Sequence, residues 1–167
     1  MKAVERSLRV ALCAPEWDRL EQALAGGKAD ATYLIQNDVA AGLQRCGHQL
    51  TFIAPRDLMD LIATPDPARP VVAPRSWSAT PLFAICSKII WRLQRLLGIP
   101  YLNVFANWRR YDALVQALPG HDVVYERNSL FNAATGMACR RLGLPYVLFV
   151  EADEILEHDY MGRPLTG

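Results

Sequence analysis

The chain has 167 residues, 18 Lys and Arg against 17 Asp and Glu, and 51% hydrophobic residues, a globular composition that excludes intrinsic disorder as its main state. Such a length buries roughly 70% of the surface exposed by the unfolded chain, so one ordinary core forms without disulfide or metal staples. A formal charge of +1 provides no whole-chain field for nucleic acid, and no apolar run approaches the ~20 residues that span a bilayer.

The segment Met1 to Arg6 carries an acid and is not followed by the apolar stretch and cleavage site of a secretory signal, which points to the cytoplasm. Cys13, Cys46, Cys86 and Cys139 form no C-x-x-C pair. No metal site is expected from them, and all four read as buried, reduced thiols.

In chain order, Leu8 to Ala14 is an apolar run stopped by Pro15 and predicts the first strand. From Asp30 to Cys46 the residues Tyr33, Leu34, Val39 and Leu43 recur at helical spacing, with Gly47 as the stop. Gln49 to Ala54 predicts the second strand, ending at Pro55. Asp57 to Leu118 is of a different kind. Pro65, Pro67, Pro70, Pro74 and Pro81 mark a loop, after which Leu82 to Gly98 is amphipathic and Tyr101 to Leu118 carries Trp108, Tyr111, Leu114 and Val115 at helical spacing. Asp122 to Tyr125 predicts a strand, Leu130 to Leu142 a helix closed by Gly143 and Pro145, and Tyr146 to Val150 a further strand. Strands alternating with helices predict parallel βαβ units, whose ligands bind at the strand carboxyl ends.

Gly26-Gly27 precedes the first long helix, where a close backbone approach and free N–H groups suit a phosphate, although glycine pairs also serve as plain loop punctuation. Established nucleotide motifs are missing: Pro15-Glu16-Trp17 follows the first strand in place of G-x-G-x-x-G, and Gly27-Lys28 lacks the other residues of a P-loop.

Two stretches resemble the family 4 glycosyltransferases. Arg45-Cys46-Gly47-His48-Gln49-Leu50-Thr51-Phe52 is similar to that family's R-x-G-H-E-V-T-V junction, and His121 to Leu130 followed by Arg140 to Leu148 is similar to its later βαβ unit. The resemblance implies an α/β fold with a Rossmann-like parallel sheet flanked by helices, the N-terminal half of a GT-B architecture. It also implies transfer of a sugar from a nucleotide-sugar donor to a glycan or lipid-linked acceptor, with no cofactor. On this basis Gly26 and Gly27 approach the donor phosphates. Glu151 stands where many members place a histidine beside the transferring sugar and is the catalytic candidate. Tyr125-Glu126-Arg127 stands where H-x-H is common, so Glu126, Arg127, Asn128 and Asp153 are the acceptor-binding candidates. For Glu126 and Arg127 an ion pair is the alternative. Asn128 or Ser129 could cap the next helix, and Asp153, Glu154, Glu157 and Asp159 could form an exposed acidic turn. Glu126, Arg127 and Glu151 are expected to project toward one cleft. His48 and His121 read as structural.

A complete family member continues into a second, donor-binding Rossmann domain. Residues 1–167 are therefore expected to be the acceptor-side half alone, with a basic helical insert at about 67–118, and to be inactive without the other half. A catalytically inactive glycan- or protein-binding module is the alternative, and another nucleotide-binding Rossmann enzyme a weaker third. Pro67 to Tyr111 holds Arg69, Arg75, Lys88, Arg92, Arg95, Arg109 and Arg110 and no acid. Lys88, Arg92 and Arg95 share one helical face, which suggests an anionic membrane surface at the inner face of the plasma membrane as a partner. A helix packing its apolar side on the sheet is the alternative.

Overall fold

The first strand, β1 (Arg9–Cys13), leads through α1 (Trp17–Leu24) and α2 (Ala31–Arg45) into β2 (Gln49–Pro55). The computed structural model describes residues 6–57, 59–97, 104–127 and 132–150. After β3 (Leu61–Thr64) come a 3₁₀ turn (Trp77–Ala79), α3 (Pro81–Leu96), α4 (Val104–Ala117), β4 (Val123–Arg127), α5 (Ala134–Leu142) and β5 (Tyr146–Phe149). The sheet order is β3-β2-β1-β4-β5. β1 pairs in parallel with both β2 and β4, and β4 with β5. The fold is α/β and Rossmann-like.

Both faces of the sheet are covered at β1, which is why Val10 to Ala14 reads as an unbroken apolar run and not as an alternating one. Val10 and Leu12 pack with Trp17, Leu20, Tyr33 and Phe52 beneath α1 and α2. Ala11 and Cys13 pack with Leu114, Val124, Ala138 and Cys139 beneath α4 and α5. Each fully buried Leu or Val contributes roughly 1.5–3 kcal/mol.

The α2–β2 junction follows from Gly47, which adopts φ +82 and ends α2. Its N–H donates to the Gln44 carbonyl at 2.9 Å and that of His48 to Leu43 at 3.1 Å, a paired closure that needs a left-handed residue. His121 bridges the Leu118 carbonyl (2.9 Å) and the Thr51 hydroxyl (2.8 Å), a structural role that ties the approach of β4 to β2.

Several expectations are corrected. β3 is antiparallel to β2, an edge strand inside the segment that begins at Asp57. α1 also was not expected. It places Gly26-Gly27 at the end of a helix and not directly after a strand. The Gly26 N–H donates to Ala23 and that of Gly27 to Gln22, with Gly26 at φ +75. A Cβ on Gly27 would sit 2.9 Å from the Gln22 side chain and 3.0 Å from its carbonyl oxygen. Both glycines are thus required by the turn itself. Gly26→Ala is expected to lower stability by about 1–2 kcal/mol in a urea melt, because the turn forces a left-handed residue.

Only Cys13 and Cys139 are buried. Cys46 and Cys86 are exposed, contrary to the expectation for all four. Burial pushes the Cys13 thiol up strongly, and it pushes Cys139 up to about 11. A disulfide reagent at neutral pH should therefore label Cys46 and Cys86 in the native chain, and Cys13 and Cys139 only after denaturation.

Candidate functional site at the carboxyl ends of β1 and β4

The strand order reverses at β1, whose two neighbours are β2 and β4. In open parallel sheets the crevice outside that point is where ligands sit. Glu126 stands there, in register with Cys13, and is only 2% exposed. Its Oε1 accepts from Asn132 Nδ2 (2.6 Å), Thr135 Oγ1 (2.6 Å) and Arg110 Nη2 (3.5 Å), and its Oε2 accepts from the Tyr146 hydroxyl at 2.5 Å. Four donors match the roughly four lone-pair positions of a carboxylate. Arg110 also donates to the Ala14 carbonyl at 3.3 Å, so one side chain from α4 joins the ends of β1 and β4. Burial raises the Tyr146 phenol, and its hydrogen bond to Glu126 raises it further.

Residues 126 and 127 are neighbours in a strand, and strand side chains alternate between faces. Glu126 points to the α4/α5 side. Arg127 lies on the other side, where its charge acts on Tyr33 of α2 and Tyr125 of β4. The expectation of a shared projection toward one cleft is thus corrected for this pair by the period of the strand. Burial first, and then the charge of Glu16, push the Tyr33 phenol up to about 12. Arg19 bridges Glu16 at 3.3 Å and pairs closely with Asp30, fixing the approach to α2 that Gly26-Gly27 begins. Gly26, Gly27 and Arg127 therefore fall on the α1/α2 side of the sheet, apart from Glu126.

Asn128, Glu151 and Asp153 lie outside the described residues, as do Ser129, Glu154, Glu157 and Asp159. The start of α5 is nonetheless clear. Its first N–H groups, from Ala133 and Ala134, donate to Asn107 Oδ1 of α4 at 2.9 and 3.2 Å, a cap supplied from another helix. Asn107 and Asn132 do not stand out in the sequence, where Arg110 reads only as part of the basic run and Tyr146 only as the start of a strand. The isolated arginine pair Arg109-Arg110, inside an acid-free run, was the available signal for Arg110.

Among the described residues no group of three or more His, Cys, Asp or Glu side chains is arranged to hold a metal ion. Compared with protein-family models, curated proteins and solved structures, the chain matches none of them.

Proposed function

We propose that this chain is the acceptor-side half of a GT-B glycosyltransferase, in which a sugar passes from a nucleotide-sugar donor to a glycan or lipid-linked acceptor. The observation that carries this reading is the concentration of polar side chains where the sheet reverses: Glu126 and Arg110 on one face, and Arg127, Tyr33 and the Glu16–Arg19–Asp30 ion pairs on the other. The order of the sequence motifs along the chain supports it as well. In this role Glu126 does not touch the sugar, since four protein donors already occupy it. It holds Arg110 and the start of α5 in place. Arg127 presents a planar, permanently charged fork suited to sugar or phosphate oxygens. Transfer proceeds through positioning and stabilisation of the departing diphosphate, with Glu151 as the catalytic candidate that the family resemblance implies.

Saturation-transfer NMR on the 167-residue chain tests this reading. Oligosaccharide signals are expected to saturate, nucleotide-sugar signals only weakly, and no transfer product should form. Micromolar binding of a nucleotide sugar to the chain would contradict the assignment of the donor site to a second domain.

One observation favours the alternative, a catalytically inactive glycan- or protein-binding module: Glu126, the buried acid at the crevice, is fully engaged by protein donors. Glu151→Gln in a protein that also carries a donor domain separates the two. The enzyme reading requires turnover to fall by at least ~10-fold, equivalent to about 1.4 kcal/mol of barrier, with stability unchanged.

A further inference from the structure

Helix α3 has three distinct faces. The first joins it to the protein. Phe83 packs edge-on against Trp77 and Phe105, each at 5.1 Å between ring centroids, and Arg109 of α4 donates to Ser87 Oγ at 2.7 Å while its guanidinium lies over the Phe83 ring. Asp112 of α4 accepts the backbone N–H groups of Ser76 and Ser78 at 3.0 and 2.9 Å, which fixes the 3₁₀ turn that leads into the helix. Thr80 caps the first turn, with Pro81 at the position where a missing N–H costs nothing.

The second face is a stripe of Leu82, Ile85, Ile89, Leu93 and Leu96, spaced by three or four residues. All five are exposed, Leu82 at 71% and Leu96 at 82%. The alternative in which the apolar side packs on the sheet is thereby overturned. Beside this stripe runs the third face, Lys88, Arg92 and Arg95, also exposed and without an acidic partner among the described residues. α3 itself contains no acid. Trp91 is not on the apolar stripe. It lies on the far side of the basic one, under the Arg95 guanidinium at 5.0 Å.

We infer that α3 docks on an anionic lipid bilayer, lying in the plane of the surface with its leucine and isoleucine stripe among the acyl-chain ends and Lys88, Arg92 and Arg95 beside the lipid phosphates. An exposed apolar stripe with an adjoining cationic stripe is complementary to a surface that offers hydrocarbon and negative charge side by side. A second copy of the chain would cover the apolar stripe but would bring another acid-free basic stripe to it. With 16 residues, α3 lies on a bilayer and does not cross one, and among the described residues no helix is long and apolar enough to do so. Bilayer docking extends the glycosyl-transfer reading by bringing a lipid-linked acceptor within reach. That extension rests on the reading, whereas the docking itself does not.

Vesicle flotation of the 167-residue chain tests the inference, with phosphatidylcholine alone and with an equal mixture of phosphatidylcholine and phosphatidylglycerol. The chain should float only with the anionic vesicles, and release by salt should follow. The Lys88→Gln, Arg92→Gln, Arg95→Gln triple variant should partition about 100-fold less, because each basic group near such a surface is worth about a factor of five. Its fold can be checked by the protection of Cys13 and Cys139 from thiol reagents. As a second readout, an environment-sensitive dye on Cys86, with Cys46→Ser, should brighten with anionic vesicles alone, since Cys86 borders the apolar stripe. Equal flotation with both vesicle types, or flotation unchanged by salt and by the triple substitution, would overturn the inference. So would no flotation together with a dimer in sedimentation velocity, which would assign the stripe to a second copy. No nucleotide sugar or glycan is present in the assay, so its failure and that of the glycosyl-transfer reading are separable.

Discussion

Glu126→Ala is expected to lower the stability of the chain by about 3–5 kcal/mol in a urea melt, the cost of removing one partner from a buried ion pair. The carboxylate is 2% exposed and its Arg110 partner is largely buried. Without it, Arg110, Asn132, Thr135 and Tyr146 all lose an acceptor, and each unsatisfied buried donor carries its own desolvation cost. Glu126→Gln preserves shape and one acceptor and should cost less. It carries a second signature: the Cys139 thiol, held up first by burial and second by the Glu126 charge, should titrate below about 11 in that variant. A loss under ~1 kcal/mol for the alanine variant, the range of an ordinary surface substitution, would mean that Glu126 is not the joint between β1, β4 and α5.

The second large effect is alkaline unfolding. Cys139 is held near 11 against an ordinary 9.0, and Tyr33 near 12 against 10.0, in both cases by burial first. Cys13 and Tyr146 are displaced in the same direction. In each case the folded state holds its proton more tightly than the unfolded state. Their contribution is therefore complete below the unfolded values and is lost as pH rises through the folded ones. Stability should stay level up to about the ordinary thiol value of 9.0 and then decline. By about pH 12, Cys139 would have withdrawn nearly its full two-unit difference and Tyr33, half titrated there, somewhat less, together on the order of several kcal/mol and comparable to the lower end of ordinary domain stability. The tyrosinate absorbance should consequently appear in part as a cooperative step that coincides with loss of circular dichroism. A smooth titration of all tyrosines at their ordinary value, with the fold intact, would contradict the burial of Tyr33 and Tyr146.

The elements that could be read from the sequence are those whose apolar pattern is long or cleanly bounded. β1 and β2 end at prolines, α2 ends at Gly47, and α3 and α4 repeat their apolar residues over several turns. By contrast, α1 spans eight residues with four apolar side chains, Trp17, Leu20, Ala23 and Leu24, too few to stand out beside Pro15. β3 has four residues and runs directly into the proline-rich loop, so its edge pairing with β2 left no pattern of its own. At the candidate site the charged strand end was visible, whereas its wiring was not. From α4, Arg110 meets Glu126 sixteen residues away, and Tyr146 meets it from the neighbouring strand β5, contacts that only the tertiary fold creates. The separation of Glu126 from Arg127 follows from strand alternation and was available in principle. For α3, the helix was legible but its exposure was not, because burial depends on what the rest of the chain offers to cover it.

The acceptor site proposed here lies outside the carboxyl ends of β1 and β4. Amide chemical-shift mapping of the isotope-labelled chain tests it most directly, with a panel of neutral and acidic oligosaccharides as probes. Shifts are expected to concentrate at Ala14 to Trp17, Asp30 to Tyr33 and Glu126 to Arg127, and to be lost in Arg127→Ala with the fold preserved. Shifts confined to the opposite edge of the sheet, around His48, Asp122 and Leu144, or a response unchanged by Arg127→Ala, would contradict it.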